Sequence, residues 1–186
     1  WDMGSGWRTY GKWLLGHDMT ASYREYKQCL QVMAQREPDS GFVLKCPDHL
    51  WFVDSLLKVF PDACIVWTHR DPYDSIASYC SMMSLNWRLM YGKFDPREVG
   101  DHIEERFLNG IERALAVRER VGDANFYDVD FVELCENPSA VVDGITKHFG
   151  LRDIQHADVD GYLSQKRQDA RGKHKYNAER YGLDRA

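Results

Sequence analysis

Two apolar runs constrain this chain more than any other feature: Phe42-Val43-Leu44 and Cys64-Ile65-Val66-Trp67. The first is read as a buried strand ending at Lys45, followed by a helix from about His49 to Val59. A turn at Pro61-Asp62-Ala63 then leads into the second run, which ends in Thr68-His69-Arg70. Strand, helix, strand and helix joined by short turns form a βαβ unit, so the predicted fold class is α/β with a parallel sheet. Both strand ends carry a cation, Lys45 and Arg70. Ligands of open α/β sheets sit at the carboxyl ends of the strands. Two cations there predict an anionic ligand.

The second junction is the sharper one. Asp71 is placed to cap the helix that starts at once, and Pro72 suits its first position, where no backbone N–H is needed. Asp74 adds a carboxylate to the first turn, in keeping with the helix dipole. Ser78 follows about two turns into the helix. Arg70 offers a planar fork of donors suited to phosphate, and the Ser78 hydroxyl offers one more. On chemistry alone an alternative stands beside this: Arg70 pairs with Asp71 or Asp74, and Ser78 is only a small packing residue.

At the first junction, Pro47 stops regular pairing and Asp48 or His49 starts the helix. His49 is either a solvated residue of the cap or a base at the mouth of a site, since histidine accepts a proton near neutral pH. His69 is the rival histidine, with an orienting role for its loop as the plainer reading. His49, His69 and Asp48 lack metal-ligand spacing, and no metal is predicted.

The helix after Arg70 runs to about Tyr91, and Met82, Met83, Leu85, Trp87, Leu89 and Met90 on it either fill the core or line an acceptor pocket. A second long helix spans about Glu98 to Val121, with Ile103, Phe107, Ile111, Leu115 and Val117 or Val121 on its apolar side and its charges read as solvated. A third strand is predicted at Asn125–Phe131, then a helical turn, a Pro138-led helix closed by Gly150, and a short helix from Ile154 to Lys166. Ahead of all this, Tyr23, Tyr26, Leu30 and Met33 mark a helix over Ala21–Arg36 whose tyrosines are read as packing.

Residues 1–186 are read as a single domain, with 1–20 an irregular leader and 164–186 a basic C-terminal segment. Apolar content of 44% suits a folded chain, and a net charge of −5 speaks against general nucleic-acid binding. The five cysteines form no CxxC pair, and Cys46, Cys64 and Cys135 adjoin apolar segments; they are read as reduced and mostly buried, in the cytoplasm. No stretch of apolar residues is long enough to span a membrane.

Arg70-Asp71-Pro72 followed by Ser78, after a strand and ahead of a long helix, resembles the 3′-phosphate element of sulfotransferases that use PAPS, 3′-phosphoadenosine 5′-phosphosulfate. VLKCPDHL with LLKVFPDACIVWTHRDP resembles the bacterial-type branch of that family, as do DVDFVELCENPSAVVDGITKHFGL and GKHKYNAERYGL. The resemblance implies a P-loop NTPase-like fold, a three-layer parallel sheet flanked by helices. It implies transfer of a sulfuryl group to the hydroxyl or amine of a small-molecule acceptor. Lys45 would stabilise charge on the moving group and His49 would be the base. Arg70 and Ser78, with Arg171, Gly172 and Lys173 of a basic loop, would hold the 3′-phosphate of PAPS or of adenosine 3′,5′-bisphosphate. The family's Gly-rich 5′-phosphosulfate loop is not found: Gly4-Ser5-Gly6 lacks the strand before it and the Lys-Ser/Thr after it. The expectation is therefore a C-terminal portion, incomplete at the N-terminus, with the first half as a missing partner. A non-catalytic nucleotide-binding fragment and a P-loop kinase relative are the alternatives.

Overall fold

The computed structural model describes residues 7–36, 41–152, 156–165 and 176–184. Helix α1 (Arg8–Leu15) and α2 (Thr20–Ala34) precede a 3-10 segment (Pro47–Trp51) and α3 (Val53–Val59). Strand β1 (Ile65–His69), α4 (Pro72–Tyr91), α5 (Pro96–Val121) and β2 (Phe126–Asp130) follow. Then come α6 (Phe131–Glu136), α7 (Pro138–Phe149), α8 (His156–Gln165) and a 3-10 turn at Glu179–Tyr181. The fold is α/β, mostly helical, with a small parallel sheet.

β1 and β2 pair in parallel from Ile65 opposite Phe126 to His69 opposite Asp130. Asn125 sets the register: its side-chain amide donates to Pro61 O and Ala63 O, both at 2.9 Å, and so ties the entry of β2 to the turn before β1. Alternation along β2 then divides its side chains between two faces. Phe126 clusters with Val53 of α3 and Ala114 and Val117 of α5. Tyr127, on the other face, packs on His148 and Phe149 of α7. Its hydroxyl lies where a Cβ on Gly144 would stand, so only glycine lets α7 come that close.

Phe42-Val43-Leu44 corrects the sequence reading. The run forms no strand, and all three residues are exposed, Val43 fully so. An apolar run becomes a strand only where its N–H and C=O groups meet a neighbouring strand. β1 and β2 pair with each other, and neither pairs with this run.

α5 also departs from its predicted face. Ile103 is buried as expected, and so is Val117 of the pair Val117 or Val121, but Ile111 and Leu115 are exposed. The buried line runs through Val99, Ile103, Arg106, Gly110, Ala114 and Val117. Small residues decide it. Gly110 lets the Trp51 indole lie against the helix, and Trp51 Nε1 donates to Arg106 O at 2.8 Å. The Arg106 guanidinium then lies 4.9 Å from the same indole ring. Closing Gly110 with a methyl group would drive Trp51 out of a site whose loss costs about 3–5 kcal/mol. A further charge expected in solvent is used structurally: Arg113 donates to Trp51 O and Leu15 O, at 3.1 and 3.0 Å.

On α4, Trp87 is buried, while Met82, Leu85, Leu89 and Met90 are exposed. The cysteines depart from expectation as well. Only Cys80 is buried, its thiol pushed up to about 12 by that burial, and Cys46, Cys64 and Cys135 are exposed. Cys64 directly precedes β1, and Cys135 lies in α6, none of whose residues is buried. No described helix is long and apolar enough to cross a membrane.

Candidate functional site

The carboxyl ends of β1 and β2 lie side by side through the His69–Asp130 register, and each strand passes straight into a helix. Asp71 Oδ1 accepts from Asp74 N–H at 3.0 Å and Pro72 takes the first helical position, as the sequence predicts. At β2, Asp130 Oδ1 accepts from Val132 N–H and Glu133 N–H, at 2.7 and 3.0 Å. Arg70 is therefore held between two aspartate-capped helix starts. Its guanidinium lies 4.9 Å from the ring centre of Phe131, the first residue of α6. Among the described residues Arg70 makes no ion pair with Asp71 or Asp74, and the Asp71 carboxylate is engaged by the cap. Exposed donors on an aromatic platform, beside the N-terminus of a 20-residue helix, suit an anion. Ser78 is half-buried on that helix.

His69, the rival histidine, faces Asp128. Its Nε2 is 2.6 Å from Asp128 Oδ1. Both oxygens of Asp128 accept from Arg118 of α5, at 2.9 and 2.7 Å, and Arg118 Nε donates to Asp123 at 2.6 Å. Arg118 first, and then His69, hold the Asp128 carboxyl down to about 2. This chain of contacts fastens β1 to β2 and the sheet to α5.

His49 has a different setting. It sits half-buried in the 3-10 segment opened by Pro47, with Nδ1 2.8 Å from Tyr23 Oη of α2. The Tyr23 and Tyr26 rings stand 5.7 and 6.3 Å from its own. Burial lowers the imidazole's pKa, with Asp48 opposing, so the ring is neutral near pH 7 and able to take up a proton. Lys45 is exposed and has no ion pair among the described residues.

The His49 segment and the first half of α4 rest on one core. Trp51 and Phe52 cluster with Ala77 and Cys80, and the Phe107 ring contacts both Trp51 and Tyr79, at 5.9 and 5.2 Å. No hydrogen bond or ion pair among the described residues joins Lys45 or His49 to Arg70 or Ser78. Arg171, Gly172 and Lys173 lie outside the described residues. Beyond them, Tyr181 and Leu183 are buried, and Tyr181 Oη lies 3.2 Å from Ser84 Oγ of α4. Sequence reading missed two contributors. Phe131 follows a capping aspartate at a strand end, a pattern that resembles Arg70-Asp71 in reverse and offered a signal. Tyr23 gave none, because its link to His49 spans 26 residues.

Among the described residues no group of three or more His, Cys, Asp or Glu side chains is arranged to hold a metal ion. A sequence model described as "Sulfotransferase family" matches residues 11–155. The omega-hydroxy-beta-dihydromenaquinone-9 sulfotransferases Stf3 of Mycobacterium bovis and Mycobacterium tuberculosis are each 27% identical over 143 residues, 76% of this chain and 35% of theirs. The crystal structure of sulfotransferase STF9 from Mycobacterium avium superposes with a TM-score of 0.87 at 31% identity, over 99% of this chain and 48% of that one. Sulfotransferase STF1 from Mycobacterium tuberculosis H37Rv gives 0.82 at 31% identity, over 95% and 46%. The chain thus spans about a third of the length of the curated relatives it matches and just under half of the solved ones.

Proposed function

The chain belongs to the sulfotransferase family, and on that basis we propose that it carries the 3′-phosphate subsite and the proton acceptor of an enzyme that moves a sulfuryl group from PAPS to a hydroxyl or amine. The acceptor oxygen or nitrogen attacks sulfur, the bond from sulfur to the bridging phosphate oxygen breaks, and its electron pair leaves with adenosine 3′,5′-bisphosphate. His49 takes the acceptor's proton. Lys45 offsets the negative charge that grows on the bridging oxygen, so positioning and electrostatics supply most of the catalysis.

The observation that carries the reading is Arg70. It stands at a strand's carboxyl end, unpaired with its neighbouring carboxylates, on the Phe131 ring and at the start of α4. Ser78 lies two turns along the same helix, and Arg171, Gly172 and Lys173 precede a segment anchored to that helix through Tyr181. The three-layer, P-loop NTPase-like arrangement belongs to the same proposal, supported by α5 and α7 packing on opposite faces of β2. An apolar alcohol as acceptor is favoured by the relatives' named substrate and by the exposed Met82, Leu85 and Leu89 beyond Ser78. Free thiols on the surface suit the cytoplasm. The matching proteins are sulfotransferases, which favours transfer over the kinase alternative.

Calorimetric titration with adenosine 3′,5′-bisphosphate, beside Arg70→Ala and with ATP as competitor, tests the subsite. Binding that ATP does not displace, weakened roughly 10- to 100-fold in the variant, is expected for a lost charge-assisted fork. Equal binding by the variant, or displacement by ATP, would sink the assignment.

A further inference from the structure

His49 is not held by its own segment. The 3-10 turn that carries it has no side-chain cap, and the polar contact that fixes the imidazole comes from α2, where Tyr23 Oη meets Nδ1 at 2.8 Å. Tyr23 is itself buried, its ring in the same core cluster as Trp51 and Phe52, so the hydroxyl is aimed by packing rather than by a mobile chain. We propose that Tyr23 is a positioning residue for the base: its hydroxyl oxygen accepts from Nδ1–H of His49 and leaves the Nε2 lone pair for the acceptor's proton. This rests on the reading of His49 as the base.

The direction of that hydrogen bond decides the chemistry. A neutral imidazole carries one proton. If Tyr23 donated to Nδ1, the proton would sit on Nε2, and that nitrogen could accept nothing. If Tyr23 accepts, Nε2 is free, and the same bond stabilises the imidazolium that forms when a proton arrives. Burial keeps the Tyr23 hydroxyl protonated, with Cys46, Asp48 and Tyr26 pushing the same way, so it acts as a neutral partner throughout. Asp48 in the same 3-10 turn, Cys46 just before it and Tyr26 on α2 are the other titratable groups near the pair.

Tyr23→Phe keeps the buried ring and removes only the hydroxyl. The test is nitrogen-detected NMR of His49 in the chain and in Tyr23→Phe, with sulfuryl transfer followed in the longer enzyme that contains this chain, as parent, as Tyr23→Phe and as His49→Gln. The proposal expects the Nδ1–H tautomer in the parent. It expects a lower His49 pKa in Tyr23→Phe, because an acceptor for the charged form is gone. It also expects a roughly tenfold fall in kcat with little change in acceptor KM, the acid limb of the rate profile moving to lower pH. An Nε2–H tautomer in the parent, or a His49 pKa that rises in Tyr23→Phe, would overturn it by showing that Tyr23 donates. If the tautomer is as expected and His49→Gln transfers normally, the base assignment itself fails and Tyr23's role falls with it.

Discussion

His69 and Asp128 meet across the two parallel strands, with Nε2 2.6 Å from Oδ1, although the register pairs His69 with Asp130 and Trp67 with Asp128. The diagonal contact makes His69 part of a latch that continues through Arg118 to α5. The latch has a pH signature. Asp128's carboxyl is lowered from 3.8 to about 2, mainly by Arg118. A depressed folded pKa gives stability that is complete above the unfolded value and lost as pH falls through the folded one. The parent should therefore lose part of its stability between about pH 4 and 2. Asp128→Asn should be weaker at pH 7 and converge with the parent on acidification. Asp128 is 43% exposed, so solvent screening limits the difference to on the order of 1 kcal/mol. Urea unfolding at a series of pH values measures it; parallel curves would contradict the latch.

Phe131 supports Arg70, whose guanidinium lies 4.9 Å from its ring centre. An exposed cation–π contact contributes about 0.5–1 kcal/mol. Phe131→Leu should keep the start of α6, which Asp130 caps, and weaken adenosine 3′,5′-bisphosphate binding roughly two- to fivefold. Calorimetry beside Arg70→Ala reads the effect, and a loss as large as that of Arg70→Ala would mean that Phe131 holds more than the orientation of a side chain.

What could be read ahead of the structure was the punctuation. Asp71-Pro72, Gly92 and Gly150 mark real helix ends, two of them by positive φ, because cap and turn chemistry is local. The strand pair at Ile65 and Phe126 was legible for the same reason: each run is bounded by turn residues. Phe42–Leu44 was not, since strandhood depends on a partner that composition does not name. The face of α5 was misread because large apolar residues were counted, whereas Gly110 and Ala114 set how closely Trp51 and α3 approach. Arg70 could be found from a motif; the Tyr23 hydroxyl on His49 could not, being a contact between segments.

Arg113 was another charge read as solvated. Its guanidinium spans two carbonyls, Trp51 O at the end of the His49 turn and Leu15 O at the end of α1. Hydrogen bonds from a charged donor contribute about 1.5–3 kcal/mol, and both carbonyls lose their partner together if it is removed. Arg113→Met should destabilise the chain by roughly 2 kcal/mol. It should also speed amide exchange at Trp51 and Phe52 while leaving β1 and β2 unchanged. Hydrogen exchange with mass or NMR detection separates these regions, and uniform acceleration would argue for a purely global effect.

Gly100 offers the most direct handle on the C-terminal segment. A Cβ built there falls onto the carbonyl of Tyr181, so the 3-10 turn at Glu179–Tyr181 sits on α5 with no room for a methyl group. The clash is with backbone, which cannot rotate away as a side chain would. Overpacking of this kind costs about 1–3 kcal/mol. In Gly100→Ala the cheaper response is for the turn to lift off, because α5 is packed along its length through Val99, Ile103, Ala114 and Val117, whereas the turn is seated through the few core side chains around Tyr181 and Leu183. Lifting the turn would also part Tyr181 from Ser84 on α4. The expected result is a modest loss of global stability, with proteolysis near Tyr176–Asp184 much faster than in the parent. Nucleotide binding should weaken too, if the basic residues before Tyr176 reach the phosphate. Tyr181→Ala, which removes the anchor without crowding α5, should reproduce the proteolysis. If Gly100→Ala is cleaved no faster than the parent, the turn has another seat and the close approach at Gly100 does not hold it.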